Sequence, residues 1–270
     1  MRIVSICPSN TELIDYLGLT PQLVGVDDYS DYPEAVESLP RLGPDLSIDM
    51  EKLESLNPDI VFASLSVPGM EKNITELEKR GIPHVTLNPQ SFSDIADDLV
   101  TVGDVVTVGA ACGITAHAEL RRMDFLKTVN ELKAIGEKVD HPPTLYWEWW
   151  PNPVFTPGKV NWLTELSEMA GARNIFADVE LASVQTDWGD VLKRDPDYIC
   201  LAWVGVQRKR VKPEIVKKRP GALEMPAVQN DRLLILEEAL YCRPSPLLLK
   251  GAVALSRLLH PDLYRDIDVN

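Results

Sequence analysis

The sequence predicts a two-lobed α/β protein, and three observations carry that prediction. Short apolar runs alternate with segments of helical spacing, a helix-turn-strand signature occurs twice, and a long uninterrupted helical stretch lies between its two copies.

The runs Ile3 to Ile6, Leu23 to Val26, Asp59 to Ala63 and His84 to Leu87 read as buried strands separated by helices, the βαβ rhythm of a parallel sheet. After the first run, Ser9 stands three residues before Glu12. That spacing predicts a capping box opening a helix that runs through Leu17 and ends at Gly18. The repeated signature is Leu53-Glu54-Ser55-Leu56-Asn57-Pro58-Asp59-Ile60-Val61-Phe62-Ala63, matched in kind by Val191-Leu192-Lys193-Arg194-Asp195-Pro196-Asp197-Tyr198-Ile199-Cys200-Leu201. Each copy is a helix end, an Asx-Pro-Asp turn and a buried strand, followed by a loop, a helix ending near a glycine (Gly81, Gly221) and another strand-like run.

Between the copies, Ala111, Ile114, Ala118, Phe125, Val129 and Leu132 fall at helical steps, with no Gly or Pro from Ile114 to Ala134. A helix of about 25 residues, roughly 37 Å long, is expected there as a stiff connector. The predicted organisation is an N-terminal lobe over residues 1–105, a connecting helix over 106–138 and a C-terminal lobe over 139–270, opened by Tyr146-Trp147-Glu148-Trp149-Trp150-Pro151.

Composition narrows the function. The 270 residues carry 27 Lys plus Arg against 41 Asp plus Glu, a formal net charge of −14 that disfavours nucleic acid as a partner. The charge is uneven: residues 1–105 hold 19 acidic and 6 basic residues. No apolar run approaches the roughly 18 residues of a membrane span. Strand-like Arg2-Ile3-Val4-Ser5-Ile6 stands where a secretory signal would, so a cytoplasmic location is expected, with a periplasmic or cell-surface one as the alternative if a signal peptide has been removed. Cys7, Cys112, Cys200 and Cys242 are far apart and read as free thiols, mostly buried. His84, His117, His141 and His260 are scattered, so no protein-held metal is expected. No nucleophile elbow, phosphate loop or dinucleotide fingerprint is present, and the chain is not expected to be an enzyme.

The order of five segments resembles the helical-backbone (class III) periplasmic binding proteins, in particular the cobalamin- and siderophore-binding group that feeds ABC importers. They are Val4 to Glu12, Tyr29-Ser30-Asp31-Tyr32-Pro33, Asn57-Pro58-Asp59, Phe155-Thr156-Pro157-Gly158 and Arg243-Pro244-Ser245-Pro246. The resemblance implies two Rossmann-like lobes joined by one backbone helix, with a small-molecule ligand in the cleft between them. It favours a corrinoid, or otherwise an iron siderophore or haem, as cargo and not as an intrinsic cofactor. It also implies ABC-transporter membrane subunits as partners, with Glu71 at the docking position of the first lobe. The corresponding second-lobe run, Gln207-Arg208-Lys209-Arg210-Val211-Lys212, is basic, which argues against that partner, and Ser64-Leu65-Ser66 stands where the family carries a stacking tryptophan. Two further readings therefore stand beside the importer: a cytoplasmic carrier or sensor, and an enzyme acting on a cofactor in the same cleft.

Ligands of parallel sheets bind beyond the carboxyl ends of the strands. That selects Pro8 and Ser9, Tyr29 and Tyr32, Trp149 and Trp150, Trp203, and Arg243 as candidate ligand-binding residues. Tyr and Trp offer an apolar face with a polar tip, and an arginine forks onto carboxylates or carboxamides. The structural alternatives are rim packing for the tyrosines, core packing for the tryptophans and an ion pair to Glu237 or Glu238 for Arg243.

Overall fold

The computed structural model describes residues 1–109, 114–267 and 269. Its strand β1 (Ile3–Ser5) is buried along its length and pairs in parallel with β2 (Leu23–Val26) on one side and β3 (Ile60–Ser64) on the other. Strand β4 (His84–Leu87) completes the order β2-β1-β3-β4. The central strands β1 and β3 are buried on both faces, which is why they are the most nearly continuous apolar runs. One face packs Val4, Ile6, Leu42, Leu53, Val61 and Leu77 into a core.

Helix α1 (Pro8–Tyr16) follows β1, and the expected capping box does not form. Cys7 is the N-cap and Pro8 occupies the first helical position, where its missing N–H costs nothing. Ser9 and Glu12 therefore lie inside the helix, both buried, with the Ser9 hydroxyl 3.3 Å from Cys7 Sγ and Glu12 accepting from Ser245 Oγ. The chain turns at Gly18 (φ +71°), as expected. Helices α2 (Met50–Ser55) and α3 (Glu71–Arg80) flank β3, and Gly81 caps α3 in the left-handed region.

Helix α4 (Phe92–Gly109), which the sequence pattern does not separate, precedes α5 (Ile114–Gly136), the expected long helix at 23 residues. Ala111 and Cys112 lie outside the described residues. The chain divides into two units. The first holds Met1–Pro89, Ser93–Leu126 and Pro244–Pro246, and the second Gln90–Phe92, Lys127–Arg243 and Leu247–Asn270, so the division falls within α5.

The second unit repeats the parallel sheet with β5 (Thr144–Glu148), β8 (Arg173–Asn174), β10 (Tyr198–Leu201) and β11 (Leu233–Ile235) in the order β11-β10-β5-β8. A small antiparallel sheet, β6 (Trp150–Pro151), β7 (Val154–Pro157) and β9 (Ser183–Thr186), is added to it. Helices α6 (Trp162–Met169), α7 (Trp188–Arg194), α8 (Glu214–Lys217), α9 (Pro226–Gln229) and α10 (Leu248–Leu259) complete the unit. The single helix expected before Gly221 is instead the short α8, and Gly221 opens a separate turn at φ +71°.

Candidate functional site

In the first unit the candidate residues follow adjacent strands. Pro8 and Ser9 follow β1 and are buried, in the first turn of α1. Tyr29 and Tyr32 follow β2 and are 51% and 37% exposed, side chains open to a ligand. Their loop is held from beneath. The fully buried Asp27 carboxylate accepts from Tyr29 N (2.8 Å), Ser30 N (3.0 Å) and Ser30 Oγ, and the Ser30 and Thr11 hydroxyls lie 2.7 Å apart. Arg41 donates to the carbonyls of Asp27, Ser30 and Val36. Burial pushes the Asp27 carboxyl up to about 6, against the lowering effect of the Ser30 and Tyr29 donors. After β3, Ser64 and Ser66 hydrogen-bond to each other at 3.0 Å. Glu71 is exposed in the first turn of α3, where it accepts from Gly69 N.

In the second unit the carboxyl ends of β5, β10 and β11 gather the other candidates. Val204 N donates to Trp149 O at 3.1 Å and Cys242 Sγ to Ala202 O at 3.1 Å, which ties the three strand-end segments together. The tryptophans divide by role. Trp147 is fully buried, donates to Ser167 Oγ and packs on Tyr241. Trp149 packs on Trp162 at 5.8 Å, and its indole N–H is buried without a partner among the described residues. Trp150, in β6, is 43% exposed. Trp203 is buried, with its indole N–H donating to Glu148 Oε1 at 3.1 Å. Arg243 pairs with Glu238 at 3.0 Å, the ion pair that stood as the structural alternative to ligand contact.

Sequence reasoning missed the charged centre of this cluster. Glu148 is fully buried at the end of β5, where it takes a forked contact from Arg219 and accepts from Tyr146 Oη (2.9 Å) as well as from Trp203. Burial and the neighbouring Glu148 charge push the Tyr146 hydroxyl far above its ordinary range. A glutamate inside an aromatic strand is itself a signal, because a buried carboxylate needs a cation. Among the described residues no group of three or more His, Cys, Asp or Glu is placed to hold a metal ion. The exposed groups, Tyr29, Tyr32 and Trp150, are suited to stacking and hydrogen bonding.

The periplasmic binding protein family model matches residues 3–240. A Bacillus subtilis protein named as the uncharacterized ABC transporter substrate-binding lipoprotein YvrC is 31% identical over 98% of this chain and 82% of its own. The vitamin B12-binding protein of Vibrio cholerae is 26% identical over 91% of this chain and 84% of its own. Among solved structures, the periplasmic vitamin B12-binding protein BtuF of V. cholerae superposes with a TM-score of 0.76 at 24% identity, covering 98% of both chains. The apo periplasmic heme-binding protein RhuT of Roseiflexus sp. RS-1 does so at 0.81 and 20% identity, covering 97% of this chain and 98% of its own. These likenesses confirm the two-lobed α/β fold.

They also overturn the expected cytoplasmic location, since the relatives are lipoprotein or periplasmic proteins and point outside the cytoplasm. An apolar opening strand marks where the folded body starts and carries no information on compartment. With the family model spanning nearly the whole chain and both sheets in place, the chain belongs to the periplasmic binding protein family.

Proposed function

We propose that this protein is the substrate-binding component of an ABC importer and that its cargo is a corrinoid. The observation that carries the reading is the set of exposed aromatic side chains, Tyr29, Tyr32 and Trp150, at the carboxyl ends of the two parallel sheets. Large flat ligands are gripped by such side chains through stacking, with few polar contacts for orientation. The vitamin B12-binding relatives supply the ligand class. Binding consists of noncovalent capture and release, with the cargo and any metal inside it arriving and leaving together.

For the importer contact, Glu71 is the docking carboxylate of the first unit. The residue in the same place of the second unit is Glu214, which opens α8 after β10 as Glu71 opens α3 after β3. Glu214 lies among cations, so docking through a carboxylate rests on Glu71.

The test is a tryptophan-fluorescence titration with cyanocobalamin, cobinamide, haem and a ferric siderophore panel, corrected for ligand absorbance. Saturable quenching by the corrinoids at micromolar concentration or below supports the reading. Saturation by haem or a siderophore alone moves the cargo to that class, and no response to any of them removes the reading.

A further inference from the structure

The second unit carries a strongly basic ridge that lies outside the exposed aromatic set proposed to hold the ligand. Residues 208–218 contain Arg208, Lys209, Arg210, Lys212, Lys217 and Lys218 with one carboxylate, Glu214, in a chain whose net charge is −14. All six cations are exposed except Lys217, which is half-buried, and none of them forms an ion pair among the described residues. The ridge is not a loose loop. A single helical turn over Arg208–Arg210 and the helix α8 are joined through Val211 and Pro213, and Val211 and Val216 are buried in the core of the unit. Like charges are thereby fixed side by side. The arrangement repels itself and pays off only against an anionic surface.

We propose that this ridge docks on an anionic lipid surface, its lysines and arginines meeting headgroup phosphates. Four of the six cations are lysines, which protein interfaces deplete, and no aromatic side chain stands among residues 208–218 to anchor a protein partner. The exposed apolar side chains beside the cations are Val204 (39%) and Ile215 (43%), which fit the apolar part of a headgroup layer. The family's location outside the cytoplasm puts a membrane face within reach.

The experiment is cosedimentation of the full chain with vesicles of phosphatidylcholine containing 30% phosphatidylglycerol, against pure phosphatidylcholine, at rising salt. Each cation is worth about fivefold at low ionic strength. The variant Arg208→Ala/Lys209→Ala/Arg210→Ala/Lys212→Ala is therefore expected to bind the anionic vesicles on the order of 100-fold more weakly or worse. A control, Lys127→Ala/Lys138→Ala, keeps its binding. Binding by the natural chain that is no stronger to anionic than to neutral vesicles overturns the proposal, as does a ridge variant that binds as well as the natural chain. If the ridge variant instead loses only its binding to the importer in detergent, the ridge faces an acidic protein and the lipid assignment is wrong. The salt series on the natural chain reads the same question without any substitution, and neither readout depends on which cargo the protein carries.

Discussion

Asp59 and Asp197 hold the same place in their two units. Each ends an Asx-Pro-Asp turn, and each carboxylate accepts the backbone N–H at the start of its unit's leading strand, Arg2 N at 2.7 Å and Thr144 N at 2.8 Å. Two positions earlier, Asn57 (φ +46°) and Asp195 (φ +42°) both turn the chain through the left-handed region, which these residue types enter at the least cost after glycine. The turn thus does two jobs. It ends the helix and it locks β3 or β10 onto β1 or β5.

The two locks differ in strength. Each N–H donates back, Asp59 N to Arg2 O at 2.9 Å and Asp197 N to Thr144 Oγ1 at 3.0 Å, but the Asp59 carboxylate accepts one bond near the surface whereas that of Asp197 also accepts from Thr144 Oγ1 at 2.8 Å. Asp197→Ala should therefore cost about 1–2 kcal/mol and Asp59→Ala about 1 kcal/mol or less. Urea midpoints of the two variants check this, and the reverse order would contradict the account.

Much of the fold was legible because its signals are local. Leu23–Val26 and His84–Leu87 are strands at the residues the apolar runs mark, and the echo around Pro58 and Pro196 places β3 and β10. What escaped depends on distant pairing. Ser9 and Glu12 have the right spacing for a cap, yet Cys7 is the last extended residue, so Ser9 lies inside the helix against Cys7 and the distant Ser245 claims Glu12. The Glu148–Arg219 pair joins residues 71 apart, and nothing near Arg219 in sequence announces it. At the candidate site the aromatic residues were readable as types, but which tryptophans are open and which are buried is decided by packing on α6 and Tyr241.

Glu148 and Arg219 should behave as a buried pair whose halves cannot be removed separately. Arg219→Ala leaves a fully buried carboxylate with Tyr146 and Trp203 as its side-chain donors among the described residues, and is expected to cost about 3–5 kcal/mol. Glu148→Gln keeps an acceptor for Trp203 and should cost less. The double variant Glu148→Met/Arg219→Met should recover most of the loss. Denaturant unfolding of these variants, with Glu148→Met and Arg219→Met alone, tests the coupling, and a double variant whose cost is the sum of those two would refute it.

Asp27 predicts a pH signature. Its folded carboxyl holds a proton up to about pH 6, whereas the unfolded one releases it near 3.8. Its contribution is therefore fully present below about pH 4 and is lost as pH rises through 6. Relative to Asp27→Asn, the natural chain should lose on the order of 2–3 kcal/mol of stability between pH 4 and pH 7. Thermal unfolding of both proteins across that range checks the sign. A difference that stays constant, or that moves in favour of the natural chain as pH rises, would show that the carboxyl is not raised.

Trp150 and Trp147 separate binding from folding. Trp147 is enclosed, with its N–H bonded to Ser167, so Trp147→Ala opens a large cavity and should cost about 3–5 kcal/mol. Trp150 is 43% exposed and its N–H bonds only to the carbonyl of Asn152 in its own turn, so Trp150→Ala should shift stability by about 0.5 kcal/mol at most. If Trp150 stacks on the cargo, the same variant should weaken corrinoid binding by on the order of tenfold, because an aromatic contact contributes roughly 1 kcal/mol beyond its buried area. Tyr32→Ala, likewise open to solvent, should act in the same direction. Calorimetric titration beside a melting curve reads both quantities on each variant. Unchanged affinity in Trp150→Ala and in Tyr32→Ala, with melting temperatures intact, would place the cargo away from the exposed aromatic residues and remove the observation on which the proposed function rests.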